Sequence, residues 1–233
     1  MKEDILEQIT EDWLISQPST FTKSNIKFKP DKNHSDYSSK ADNNYSDIDI
    51  LAVHLDKSGM ERVSVVSCKS WQTGFDPGIW MDKLCDTKNH SYNKDGKIKN
   101  WRYFRELIVP KWTRAFVDTI KLETKQTDFT YYVAATNILG DRKKEFENCN
   151  FFIKNFKDQG AGEVKIIIKP FSEMFTSFFS RNNKQTLEPT LVGRLLQIIK
   201  ASDLSEDNLK QILNNANNRI MVKSIKEMEN EPA

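Results

Sequence analysis

The sequence predicts an α/β domain over residues 1–180, built on a mixed β-sheet flanked by helices, with a C-terminal helical extension over residues 189–233. Three observations predict it. Two β-branched-rich runs, Ile48–Leu55 and Arg62–Cys68, flank a turn and read as a hairpin. Two later runs, Thr130–Ala135 and Val164–Ile168, each follow segments of helical period, the order of an α/β sheet. The 233 residues suit one elaborated domain, or one with a small helical appendage, and can bury a real core.

Residues 3–16 carry Ile5, Leu6, Ile9, Trp13 and Leu14 at helical spacing with acids between them, an amphipathic opening helix ended before Pro18. Residues 30–47 are polar and turn-rich, a long loop of the kind that is often functional or mobile. In the hairpin, Ser58-Gly59 supplies the turn. Residues 79–122 read as two helical segments broken at Pro110. A charged helix around 141–158 and a Gly160-Ala161-Gly162 turn lead into the last strand, which stops before Pro170. From Pro189 the pattern changes: Leu191, Leu195, Ile198 and Ile199, then Leu209, Ile212 and Leu213 after a Ser205 cap, predict short helices. They suit a small module, a dimer surface or a cover for the sheet.

The formal charge is +2, from 35 Lys and Arg against 33 Asp and Glu, which excludes a generally basic nucleic-acid coat and makes any polyanion site local. No run approaches a membrane span, and the acidic start is unlike a secretion signal. Cys68, Cys85 and Cys149 are odd in number and show no metal-ligand spacing, which points to a reducing, cytoplasmic setting. His34, His54 and His90 are scattered and argue against a histidine-centred triad.

The segment with chemical content is Ser46-Asp47-Ile48-Asp49-Ile50-Leu51, paired with Val65-Val66-Ser67-Cys68-Lys69. A turn centred on Gly59 sets Asp49 across from Lys69 and Leu51 across from Ser67, on one face. Taken singly, Asp47 and Asp49 read as turn or cap residues and Lys69 as a solvated strand end. Together they are costly in a sheet interior unless the charges are paired or bind a metal.

Asp49 followed by a strand ending Ser67-Cys68-Lys69, with Glu7 on the opening helix, resembles the PD-(D/E)xK nuclease superfamily. "VVSCKSWQ" is similar to its branch of Mrr-like restriction endonucleases and Holliday-junction resolvases. The motifs cover about the first 72 residues, and the order of elements carries the likeness beyond. The resemblance implies a restriction-endonuclease-like fold and Mg²⁺- or Mn²⁺-dependent hydrolysis of DNA phosphodiesters, with RNA as an alternative substrate. It implies metal ligation by Glu7, Asp49 and the backbone carbonyl of Cys68. Lys69 orients or deprotonates a water, and Gln72 contacts phosphate or water. Glu11 is the alternate helix acid. Ser67 departs from the pattern, since it stands where the family carries Glu, Asp or Gln. Three readings follow: other groups complete the metal shell, metal binds weakly, or the chain is a catalytically impaired nucleic-acid-binding or assembly module.

Residues 83–125 hold eleven basic residues against five acids, interleaved with Trp101, Tyr103, Phe104, Trp112 and Phe116. Lys97, Lys99, Arg102 and Arg105 are the phosphate-contact candidates there, and Lys23, Lys27, Lys29 and Lys32 form a second group before Asp47. The aromatics read better as a core-facing stripe. A homodimer, cutting both strands, is open on sequence grounds.

Overall fold

The computed structural model describes residues 4–86 and 100–181, together with residue 211. Asp4 caps the first helix, α1 (Ile5–Ile15), by accepting from the Leu6 N–H at 2.9 Å, and Leu6, Ile9, Trp13 and Leu14 form its buried stripe. The chain then forms a strand that the sequence reading missed, β1 (Thr20–Phe28), along one edge of the sheet. Its face toward α1 is polar: Thr22 and Ser24 each donate to the Glu11 carboxylate at 2.8 Å. Only Ile26 and Phe28 are buried, so the alternation is too weakly apolar to announce a strand. The lysines on its other residues suit an edge that must not pair with another chain.

The loop after β1 contains one helical turn, α2 (Ser39–Asp42), and is tied down at its end. Asp42 is fully buried, accepting from Lys111 at 2.6 Å and from the Trp112 indole at 3.0 Å. The expected hairpin follows as β2 (Ser46–His54) and β3 (Val63–Lys69), antiparallel. Its connection includes a 3₁₀ turn at Gly59–Glu61, and Gly59 takes the left-handed φ of +56°.

The path from β3 to the next strand runs through α3 (Pro77–Cys85), α4 (Arg105–Ile108) and α5 (Pro110–Thr124), with the break at Pro110 as expected. β4 (Phe129–Ala135) then pairs parallel with β3. The predicted charged helix is two, α6 (Lys143–Glu147) and α7 (Asn150–Asp158), before β5 (Val164–Pro170), parallel to β4. An unforeseen helix, α8 (Phe171–Arg181), continues directly from β5. The sheet order is β1-β2-β3-β4-β5, so the α/β class with a mixed sheet flanked by helices is the fold the chain adopts. The extension expected over 189–233 lies outside the described residues, residue 211 apart.

Each face of the sheet has its own core. The larger lies under α3 to α7 and includes Leu51, Val65, Phe104, Trp112, Phe116, Tyr131 and Val133, which settles Phe104, Ile108 and Trp112 as core residues. The smaller lies under α1 and α8 and joins Leu6, Trp13, Leu14, Ile50, Ala52, Val66, Ala134 and Met174. Cys85 and Cys149, far apart in sequence, bring their sulfurs within 3.8 Å as free thiols. Among the described residues, no helix is long and apolar enough to cross a membrane.

Candidate active site

Asp49 sits where the backbone ladder of β2 fails on both sides. Toward β3, pairing stops at Ile50↔Val66. Toward β1, the ladder skips from Ser24↔Ile50 to Ile26↔Ile48, and the residue between, Asn25, has a left-handed φ of +56°. The carboxylate takes the place of the missing ladder bond, accepting from the Cys68 N–H at 2.5 Å. In an extended strand the N–H and C=O of one residue face the same neighbour, so the Cys68 carbonyl is directed to this edge too.

The observed register corrects the expected one. A further ladder step would set Asp49 against Ser67, and Leu51 pairs with Val65 instead of Ser67. The longer connection moves the register by two residues, which preserves strand parity. Ser67 and Lys69 therefore still share a face, while Asp49 reaches along the sheet to the Cys68 N–H at a break in alternation where Ile48 and Leu51 pack into the same core. The Cys68 side chain lies on the opposite face, packed with the α1 core near Thr10, and burial raises its thiol pKa well above the ordinary value.

Charge is unevenly answered at this end. Burial pushes Asp49 up to about 6, opposed by Lys69 and the Cys68 N–H and reinforced by Asp47 and Glu106. Glu7, on the first turn of α1, is pushed up to about 7 by burial and then by the charges of Asp49, Asp4 and Asp47, against Lys27. Glu7 and Asp49 thus both titrate well above the ordinary carboxylate range, Glu7 in part through the charge of Asp49. Glu11, the alternate helix acid, is engaged by β1 as described above, one helical turn away from Glu7.

Lys69 closes the site. Its ammonium donates to Ser67 Oγ at 2.7 Å and lies 4.7 Å from the centre of the Phe104 ring. On the neighbouring strand β4 the buried Tyr131 hydroxyl donates to Glu106 Oε1 at 2.6 Å. Glu106 is only 6% exposed and was not among the sequence candidates. Its signal was a lone acid after Arg105, leading into the apolar run Leu107-Ile108-Val109. Gln72 is exposed in the turn that follows β3.

Among the described residues no three His, Cys, Asp or Glu side chains are gathered as a ready metal cage. The groups that could hold a cation are the Glu7 and Asp49 carboxylates and the Cys68 carbonyl, with Asp47 nearby. This all-oxygen set suits a hard ion such as Mg²⁺ or Mn²⁺. Burial raises both Glu7 and Asp49, and the charge of Asp49 raises Glu7 further, so a bound cation would stabilise their ionised forms.

The cationic candidates are partly spoken for. Lys23 pairs with Glu123 at 2.7 Å, Lys27 with Asp47 at 2.6 Å, and Lys29 lies 4.3 Å from the Tyr45 ring centre. Arg105 stacks 4.0 Å from the Trp112 ring centre, while Arg102 is half-buried. Lys32 is exposed, and Lys97 and Lys99 lie outside the described residues.

No family model matches the chain, and no curated protein or solved structure matches it.

Proposed function

We propose that the chain is a metal-dependent phosphodiesterase, a DNA endonuclease of the PD-(D/E)xK kind in restriction, repair or defence. What supports this is the buried Asp49 carboxylate, bonded to the Cys68 N–H at the break in the β2–β3 ladder and influenced by Lys69, with Glu7 of α1 raised by burial and by the charge of Asp49. Perturbed carboxylates next to a fixed lysine are the grouping that phosphodiester hydrolysis uses. A divalent cation bound there supplies Lewis-acid charge and lowers the pKa of a bound water. Glu7, Asp49 and the Cys68 carbonyl would hold that ion. Lys69 orients the attacking water and offsets charge at the scissile phosphate, and the Cys68 N–H fixes the Asp49 carboxylate. Half-buried Lys29 and exposed Lys32, with Lys97, Lys99 and Arg102, are the phosphate contacts.

A binding module of the same fold is the second reading, and Ser67 favours it, because a hydroxyl is a poorer ligand for a hard cation than a carboxylate. The deciding experiment incubates purified protein with plasmid, linear, branched and single-stranded DNA, and with RNA, in Mg²⁺ or Mn²⁺ or a chelator. Cleavage that needs the metal and is lost in Asp49→Ala and Lys69→Ala supports the nuclease. Binding without cleavage of any substrate supports the module.

A further inference from the structure

We propose that Cys85 and Cys149 form a site of reversible oxidation, closing a disulfide when the chain meets a small-molecule disulfide oxidant such as oxidised glutathione. The proposal stands independently of the metal site.

Cys85 is the last residue of α3 and Cys149 the N-cap of α7, 64 positions apart in the chain. Folding nevertheless brings their sulfurs to 3.8 Å, and both residues remain half-exposed. A disulfide holds its sulfurs about 2 Å apart, so closure needs an approach of roughly 2 Å, within reach of side-chain rotation. Both cysteines pack against the margin of the larger core, which keeps the two sulfurs together. The third cysteine, Cys68, packs with the smaller core on the other face of the sheet.

The exchange proceeds in two displacements. Burial, then the neighbouring Cys149, pushes the Cys85 thiol up to about 12, so Cys85 keeps its proton and Cys149 makes the first attack. The Cys149 thiolate displaces one glutathione thiolate and forms a mixed disulfide. Cys85, already beside it, gives up its proton and displaces the second. Two protein thiols and one oxidised glutathione thus become one protein disulfide and two reduced glutathiones, with two electrons passing from the cysteines to the oxidant. Excess reduced glutathione or dithiothreitol reverses the reaction, as suits a thiol pair in a reducing setting.

The new bond ties α3 to α7 across α4, α5, β4 and α6. In the reduced chain an exposed ion pair helps hold this margin, Arg142 with Asp82 of α3 at 2.9 Å. Exposed pairs contribute little, whereas closing so long a loop covalently restricts the unfolded chain strongly. α3 also carries Trp80, whose ring centre stacks 4.7 Å from that of Trp71, just beyond Lys69. Oxidation therefore fixes the helix that packs on the end of β3.

The test equilibrates the folded chain in glutathione buffers of rising oxidised fraction, then applies thiol counting, peptide mapping and thermal melts. The parent chain should lose two of its three thiols, with Cys85 linked to Cys149 and Cys68 still free. The cross-linked chain should melt about 5–15 °C higher and return to the reduced value in dithiothreitol. Cys85→Ser should stall as a mixed disulfide on Cys149, and Cys149→Ser should take up little glutathione. Free thiols at the most oxidising ratio, separate glutathione adducts on the two residues, or a link to Cys68 overturn the site. An unchanged or lower melting temperature of the cross-linked chain overturns the tie, and ready adduct formation on Cys85 in Cys149→Ser overturns the order of attack. The mapping needs only the parent chain, so it decides the site even where a variant fails to fold.

Discussion

The two ends of β2 treat buried polar groups in opposite ways. At the hairpin end, His54 is 1% exposed, and its ring nitrogens lie 2.8 Å from Thr20 Oγ1 and 2.8 Å from Ser64 Oγ. The ladder there is continuous, with Thr20↔His54 on one side and Val53↔Val63 on the other. At the other end Asp49 interrupts both ladders, and burial, then the charges of Asp49, Asp4 and Asp47, raise Glu7 as well. A buried group whose partners all come from the fold serves the fold. Carboxylates that the fold leaves repelling one another are poised for a cation from outside.

Breaking the Asp49 end gives the largest expected effect. Asp49→Ala and Lys69→Ala each lower metal-dependent cleavage by about a thousandfold or more, with unchanged circular dichroism. His54→Leu, by contrast, leaves cleavage intact and lowers stability by about 1–3 kcal/mol, because the Ser64 hydroxyl loses its buried partner. Denaturant melts check the second half.

The stability effects differ in sign. Asp49→Asn stabilises the metal-free protein at pH 7.5 by about 1–3 kcal/mol, since a carboxylate whose folded pKa is raised opposes folding once ionised. The contribution of Asp49 and Glu7 is present below pH 4 and lost as pH rises through about 6 and 7. The histidine end runs the other way. Burial, then the charge of Lys57, lowers His54 to about 4, so its contribution is present above pH 6.5 and lost as pH falls through about 4. Melts of the metal-free chain from pH 4 to 8 should therefore show a smaller neutral-side decline in Asp49→Asn, with the share from Glu7 remaining.

The smallest effect is expected from Lys27→Ala. The Lys27–Asp47 pair is exposed, so stability changes by under about 1 kcal/mol. The Glu7 pKa, which Lys27 lowers, should rise further in a carboxyl NMR titration.

Much of this contrast was legible in the sequence because it is local. Runs rich in Val and Ile announce β2 and β3, and strand parity alone puts Ser67 and Lys69 on one face. The register was not legible, since a 3₁₀ turn at Gly59–Glu61 replaces a tight turn and shifts the pairing by two residues. β1 was hidden because its inward positions are Thr22 and Ser24, which make sense only once Glu11 is there to accept from them. Glu106 and Tyr131 were hidden for the same reason. Their pairing spans the α4–α5 crossover, and an acid in an apolar run has no local signature of its partner.

Manganese binding followed by calorimetry in buffers of different ionisation enthalpy tests the central claim most directly, because it needs no knowledge of the nucleic-acid target. At pH 6.5 the parent chain should bind Mn²⁺ and release protons as Glu7 and Asp49 ionise, release fewer at pH 8, and lose binding in Asp49→Asn. Absence of binding, or equal binding with Asn at position 49, would contradict a cation site at the broken end of β2.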